Sequence, residues 1–104
     1  METGQKPEAR LEIRNGEFEG MVYQLVGGET LIGRNPTTYI TLLDEGISRE
    51  HAVVLFDEDD VSHSIEDLQS TNGTKINGKR VRSATLCHGD EIQIGHTVFR
   101  YQVS

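Results

Sequence analysis

The chain has 104 residues, 35% apolar and 26% charged, with a formal net charge of −7. That length fits one domain with a single modest core. The acidic excess argues against general nucleic-acid binding, where a basic surface supplies most of the affinity. No apolar run comes near the roughly 20 residues that a membrane-crossing helix needs, and the polar residues 1–8 do not read as a signal peptide. The single cysteine, Cys87, supports neither a disulfide framework nor a zinc site. It fits a reducing cytoplasm and reads as a small, partly buried apolar residue.

In chain order, residues 1–8 read as a flexible N-terminal tail and residues 9–104 as the domain. Leu11 and Ile13 share one face of a first strand, followed by Asn15 and Gly16. Met21, Tyr23 and Leu25 alternate with Val22 and Gln24 before Gly27 and Gly28. Leu31 and Ile32 lead into Gly33, Arg34, Asn35 and Pro36, and 39–43 is a further short apolar run ended by Asp44, Glu45 and Gly46. Residues 51–56 are rich in β-formers, 57–60 are four consecutive acids that make a turn, and 61–68 return. A short strand at 74–76 meets Asn77-Gly78; Val81, 91–94 and 98–103 follow, with turns at Gly89-Asp90 and Gly95. Asn-Gly between apolar runs is the strongest short hairpin cue, and it stands at two expected hairpins, Asn15-Gly16 and Asn77-Gly78.

No window carries helical spacing. Ten or eleven short strands separated by turn signals predict an all-β, antiparallel β-sandwich. Tyr23, Leu31, Ile40, Val53, Leu55, Ile65, Ile92, Ile94, Val98 and Phe99 are the expected core.

Two polar clusters, 48–51 and 70–74, frame the apolar-rich segment 52–68. If 52–56 and 61–68 pair as a hairpin about 57–60, Ser48 and Thr71 emerge together at its open end. Arg34 leaves a strand just before a proline-containing turn. A phosphate monoester carries about −1.5 to −2 charge at pH 7 and three strong acceptor oxygens. Its receptor needs a guanidinium fork, hydroxyl donors and amides bared by tight turns, which these clusters supply. The acidic turn lies at the far end of the hairpin, some 17–20 Å away at about 3.3 Å per residue. Two Debye lengths at physiological salt are about 16 Å, so its repulsion is largely screened.

Gly33-Arg34, then Ser48-Arg49-Glu50-His51, then residues 67–74, then Asn77-Gly78, in this order and spacing, resemble the signature of the forkhead-associated (FHA) domain. Residues 86–95 are similar to the closing segment of those domains, and the likeness runs from about Arg10 to Val103. The resemblance implies an eleven-stranded β-sandwich of the FHA type that binds phosphothreonine in partner proteins through its loops. Those partners would be Ser/Thr kinases or their substrates, bound in Ser/Thr kinase signalling by a cytoplasmic monomer that uses no cofactor or metal. By position, Arg34 and Ser48 would contact the phosphate, Arg49 would offer its amide and Thr71 a further contact. Asn72 would hold the peptide main chain, while Gly33, His51, Ser70 and Gly73 would shape the loops. The stretch before Ser48 and the loop 95–97 are expected near the third residue after the phosphothreonine. Gly46, where some relatives place a cation, offers no side chain there.

Ser48, His51 and Asp67 could suggest a hydrolase, but no strained nucleophile elbow is present. His51 reads instead as a buried scaffold residue and Asp67 as a brace for the turn. His51, His63, His88 and His96 lack metal-ligand spacing. Lys75, Lys79, Arg80 and Arg82 read as a solvated face rather than a site, with some of them adding favourable potential for a phosphopeptide. The main alternative is a phosphate-independent scaffold of the same fold. Self-recognition through a phosphorylated Thr3 is a minor one.

Overall fold

A computed structural model describes residues 8–104. The expected tail, Thr3 included, lies outside the described residues apart from Glu8. Among the described residues there are eleven strands: β1 (Ala9–Ile13), β2 (Val22–Gln24), β3 (Glu29–Gly33), β4 (Ile40–Thr41), β5 (Ala52–Asp57), β6 (Ser62–Asp67), β7 (Thr74–Ile76), β8 (Lys79–Val81), β9 (Ser83–Thr85), β10 (Glu91–Ile94) and β11 (Thr97–Val103). They form two sheets, ordered β2-β1-β11-β10-β7-β8 and β4-β3-β5-β6-β9. The pairings are antiparallel except β3–β4, which is parallel, so the second sheet is mixed. The all-β sandwich expected from the strand pattern is what the chain forms.

Leu11, Ile13, Ile92, Ile94, Phe99 and Tyr101 face Ile32, Ile40, Ala52, Val54 and Ile65 across the sandwich. Burying each large apolar side chain contributes roughly 1.5–3 kcal/mol. Strand parity departs from expectation in two places. In β5, Ala52 and Val54 are buried while Val53 and Leu55 are only half-buried on the outer face. In β3, Thr30 and Ile32 point in and Leu31 points out. A continuous apolar run has no polar residue to mark its outer face, so its register is set by partner strands. Val98 is likewise half-buried, and Tyr23 packs at the margin of the core. Cys87 is exposed, not partly buried, because it sits in the turn before β10 where its amide donates to Asp90 Oδ2.

The β5–β6 hairpin pairs Ala52 with Asp67 at one end and Asp57 with Ser62 at the other, which separates 57–60 from the polar clusters as expected. Asn77 and Gly78, with φ of 51° and 87°, make the two-residue turn between Ile76 and Lys79. Asn15-Gly16 also lies in a hairpin, between the antiparallel β1 and β2, but within a longer loop, and the Asn15 side chain crosses to the β10–β11 turn, donating to His96 O (2.8 Å) and accepting from Val98 N (2.9 Å).

Candidate functional site

Three loops meet at one end of the sandwich: 34–39 after β3, 42–51 before β5 and 68–73 after β6. The first two are laced together by backbone. Arg34 N donates to Ser48 O (3.0 Å), Asn35 N to Arg49 O (3.1 Å) and His51 N to Ile32 O (2.8 Å). The fit is close at Gly33, where a Cβ would fall 2.0 Å from the Arg49 carbonyl oxygen. Any side chain at position 33 would force these segments apart.

His51 joins the second loop to the third. Its ring is fully buried (0% exposed). Nδ1 lies 3.1 Å from the Ser48 amide, which can only donate, so Nδ1 accepts; Nε2 then carries the proton and donates to Gly73 O at 2.9 Å. Both ring nitrogens are thus committed to backbone, and neither is free to act as a catalytic base. Ser48 Oγ accepts from Thr71 N at 3.1 Å, which fixes the two clusters side by side as the hairpin reading expected.

Asp67 braces the third loop. Its carboxylate accepts from Ser70 Oγ (2.7 Å), Ser70 N (3.0 Å) and Thr74 Oγ1 (2.7 Å), and Ser70 Oγ accepts from Gly73 N (2.9 Å). Burial works against this carboxylate, but the hydrogen bonds from Ser70 and Thr74 outweigh it and hold its pKa below the ordinary value. Gln69 (φ 58°) and Gly73 (φ 87°) both adopt left-handed backbone, the region that suits glycine.

Arg34 is exposed, and its Nε donates to Ile47 O at 2.9 Å. The two terminal nitrogens have no acceptor among the described residues, so the guanidinium is oriented yet keeps open donors. Ile47 is itself seated in the core (1% exposed) against Gly95, where a Cβ would come within 2.7 Å of Ile47 Cγ1. The packing of the sandwich therefore aims Arg34 through the Ile47 carbonyl. The Arg49 amide also lacks an acceptor among the described residues, and Thr71 and Asn72 are exposed beside it. Asn72 Nδ2 donates to Gly46 O (2.9 Å), leaving its carbonyl oxygen without a partner among the described residues.

Arg34, Ser48, Arg49, Thr71 and Asn72 are thus brought to one edge, and Gly33, His51, Ser70 and Gly73 lie behind them. The sequence reading missed the strut beside this edge. Asp44 accepts from Gly46 N (2.8 Å), His96 N (3.1 Å) and His96 Nδ1 (3.0 Å). The Gly46 and His96 amides, with the His96 ring, hold the Asp44 pKa below its ordinary value. This strut joins 44–47 to 95–97, so the two stretches expected near the third residue after a phosphothreonine are tied together. Asp44 and His96 are 52 positions apart, and no local pattern announces such a pair.

The FHA domain family model matches residues 30–95, which contain all three loops. The chain belongs to the FHA domain family. It is 38% identical over 87 residues to the FHA domain-containing protein FhaA of Mycobacterium tuberculosis, covering 84% of this chain and 16% of FhaA. A solved structure from a study of phosphothreonine-dependent FHA domain interactions superposes with a TM-score of 0.84 at 33% identity, covering 93% of this chain and 97% of the other. Mycobacterium tuberculosis EmbR in complex with a low-affinity phosphopeptide superposes with a TM-score of 0.87 at 35% identity, over 100% of this chain and 26% of EmbR. The chain therefore spans only a minor part of the length of FhaA and of EmbR.

Proposed function

We propose that this FHA domain binds phosphothreonine-containing segments of Ser/Thr kinases or their substrates, as an interaction module without catalysis. The observation that carries the reading is the Arg34 guanidinium, held at Nε by Ile47 O, whose terminal nitrogens, like the nearby Arg49 amide, have no partner among the described residues. A dianionic phosphate accepts strong charge-assisted bonds from such a set. In this reading Arg34, Ser48, Arg49 and Thr71 take the phosphate, and the open carbonyl of Asn72 takes a peptide N–H. His51, Asp67 and Ser70 keep the donors in place before the ligand arrives, which lowers the ordering cost of binding. The solved relatives studied with phosphothreonine and with a phosphopeptide support it.

Backbone amide shifts recorded by NMR during titration with a phosphothreonine peptide test the location. The largest changes are expected at Arg34, Ser48, Arg49, Thr71 and Asn72. Changes concentrated elsewhere, with these amides still, would move the site.

A further inference from the structure

The β7–β8 ribbon carries an electrostatic feature that the fold does not use. Thr74 pairs with Val81, Lys75 with Arg80 and Ile76 with Lys79. Thr74 and Ile76 are buried, so strand alternation sends Lys75 and Arg80 outward, directly opposite each other. Like charges in that relation are destabilising. The other neighbour of Lys75, across β10, is the neutral Gln93. Among the described residues, no acidic side chain forms an ion pair with Lys75, Lys79, Arg80 or Arg82. Four of the chain's ten lysines and arginines therefore stand within eight positions with no ion-pair partner among the described residues, in a protein of net charge −7.

This cationic face is continuous with the phosphopeptide edge. The Arg80 side chain lies against Gly73, the residue after Asn72: a Cβ there would fall 2.4 Å from Nε and 2.8 Å from Cζ. Arg80 and Arg82, with Gln69 and Ser70, line an open cleft of about 520 Å³. Asp67 also borders the cleft, but its carboxylate is taken up by Ser70 and Thr74. Glu66 shares the adjoining cleft with Arg82 without pairing to it.

We propose that Lys75, Arg80 and Arg82 form a second anion subsite, which takes carboxylate or phosphate side chains flanking the phosphothreonine on the same partner. The proposal rests on the phosphothreonine reading. Contact with Gly73 favours a peptide already held at Asn72 over an independent ligand, because the two anions then bind as one molecule at high effective concentration. Exposed ion pairs are weak, about 1.7-fold each, so three of them give about a five-fold preference that salt suppresses.

Fluorescence anisotropy with three phosphothreonine peptides tests this: one with alanine flanks, one with three glutamates before the phosphothreonine and one with three after. The readout is the affinity ratio of each acidic peptide to the alanine peptide, because Arg80 also covers Gly73. One acidic peptide should bind the wild-type chain about five-fold more tightly in low salt, and its ratio should fall to about three in Arg80→Gln and below about two in the Lys75→Gln/Arg82→Gln double variant. A ratio of one for both peptides in the wild type, or a ratio that survives undiminished in both variants, overturns the proposal. Binding of phosphatidylserine vesicles lost in the same variants, with no peptide preference, also overturns it and gives the face to a membrane. The alanine phosphopeptide and its unphosphorylated twin separate the two readings. If they bind equally, the phosphothreonine reading fails and takes the subsite with it; if the phosphopeptide wins without an acidic preference, only the subsite fails.

Discussion

Nε2 of His51 donates to the carbonyl oxygen of Gly73, 22 residues further along, at 2.9 Å, and this bond ties the loop before β5 to the loop after β6. The ring is fully buried and its Nδ1 accepts from the Ser48 amide. Replacing it by alanine leaves a cavity, an unmet amide and an unmet carbonyl. His51→Ala should therefore cost about 3 kcal/mol or more in chemical denaturation. A loss below about 1 kcal/mol would show that the two loops are held by other means.

Gly33 makes a prediction that does not depend on any ligand. Its Cβ would meet the Arg49 carbonyl oxygen at 2.0 Å, so the hydrogen bonds from Arg34 N and Asn35 N to the facing loop must open to admit a methyl group. Gly33→Ala should lower the melting temperature by more than about 10 °C, since 1 kcal/mol corresponds to about 4–8 °C in a domain of this size. Gly28→Ala is the control: nothing lies within 4 Å of its Cβ position. That variant should stay within about 0.5 kcal/mol of the parent.

At Arg34 charge and geometry can be separated. Arg34→Ala removes the fork and should weaken phosphopeptide binding by about 100-fold, the equivalent of two charge-assisted hydrogen bonds. Arg34→Lys keeps the charge but loses both the fork and the bond to Ile47 O, so it should recover only part of that affinity. Calorimetric titration of both variants measures this. Equal binding by the lysine variant and the wild type would mean that charge alone suffices.

Asp67 gives the turn an acid limit. Its folded pKa is held below the ordinary value, because the Ser70 and Thr74 hydrogen bonds outweigh the opposing effect of burial. A depressed carboxylate pKa contributes stability that is fully present above the unfolded pKa, about 3.9 for aspartate, and is lost as pH falls through the lower folded value. Asp44 acts with the same sign. Denaturant midpoints measured from pH 6 to pH 3 should fall below about pH 4, and more steeply in the wild type than in Asp67→Asn. Parallel profiles would remove Asp67 from the account.

The sequence and the structure agree where signals are local and differ where they are not. The Asn77-Gly78 turn, the acidic hairpin tip and the approach of Ser48 to Thr71 follow from turn chemistry and strand length, and all three were legible. The parity of 52–56 was not, because five consecutive apolar residues fit either register until β3 and β6 choose one. Ile47, whose carbonyl orients Arg34, stood in a loop with no pattern to mark it as core. The Asp44–His96 strut and the Asn15 crossing were hidden for the same reason. They join residues 52 and 81 or more positions apart, and only the completed sandwich brings them together.

The most direct test titrates the chain with one peptide sequence in three states: phosphothreonine, phosphoserine and unphosphorylated threonine. The phosphothreonine peptide should bind at least about 100-fold more tightly than the unphosphorylated one, the equivalent of two charge-assisted hydrogen bonds. It should also bind about four-fold more tightly than the phosphoserine peptide, the worth of one buried methyl at about 0.8 kcal/mol. Equal affinity for all three would contradict phosphate recognition at the edge formed by Arg34, Ser48 and Thr71.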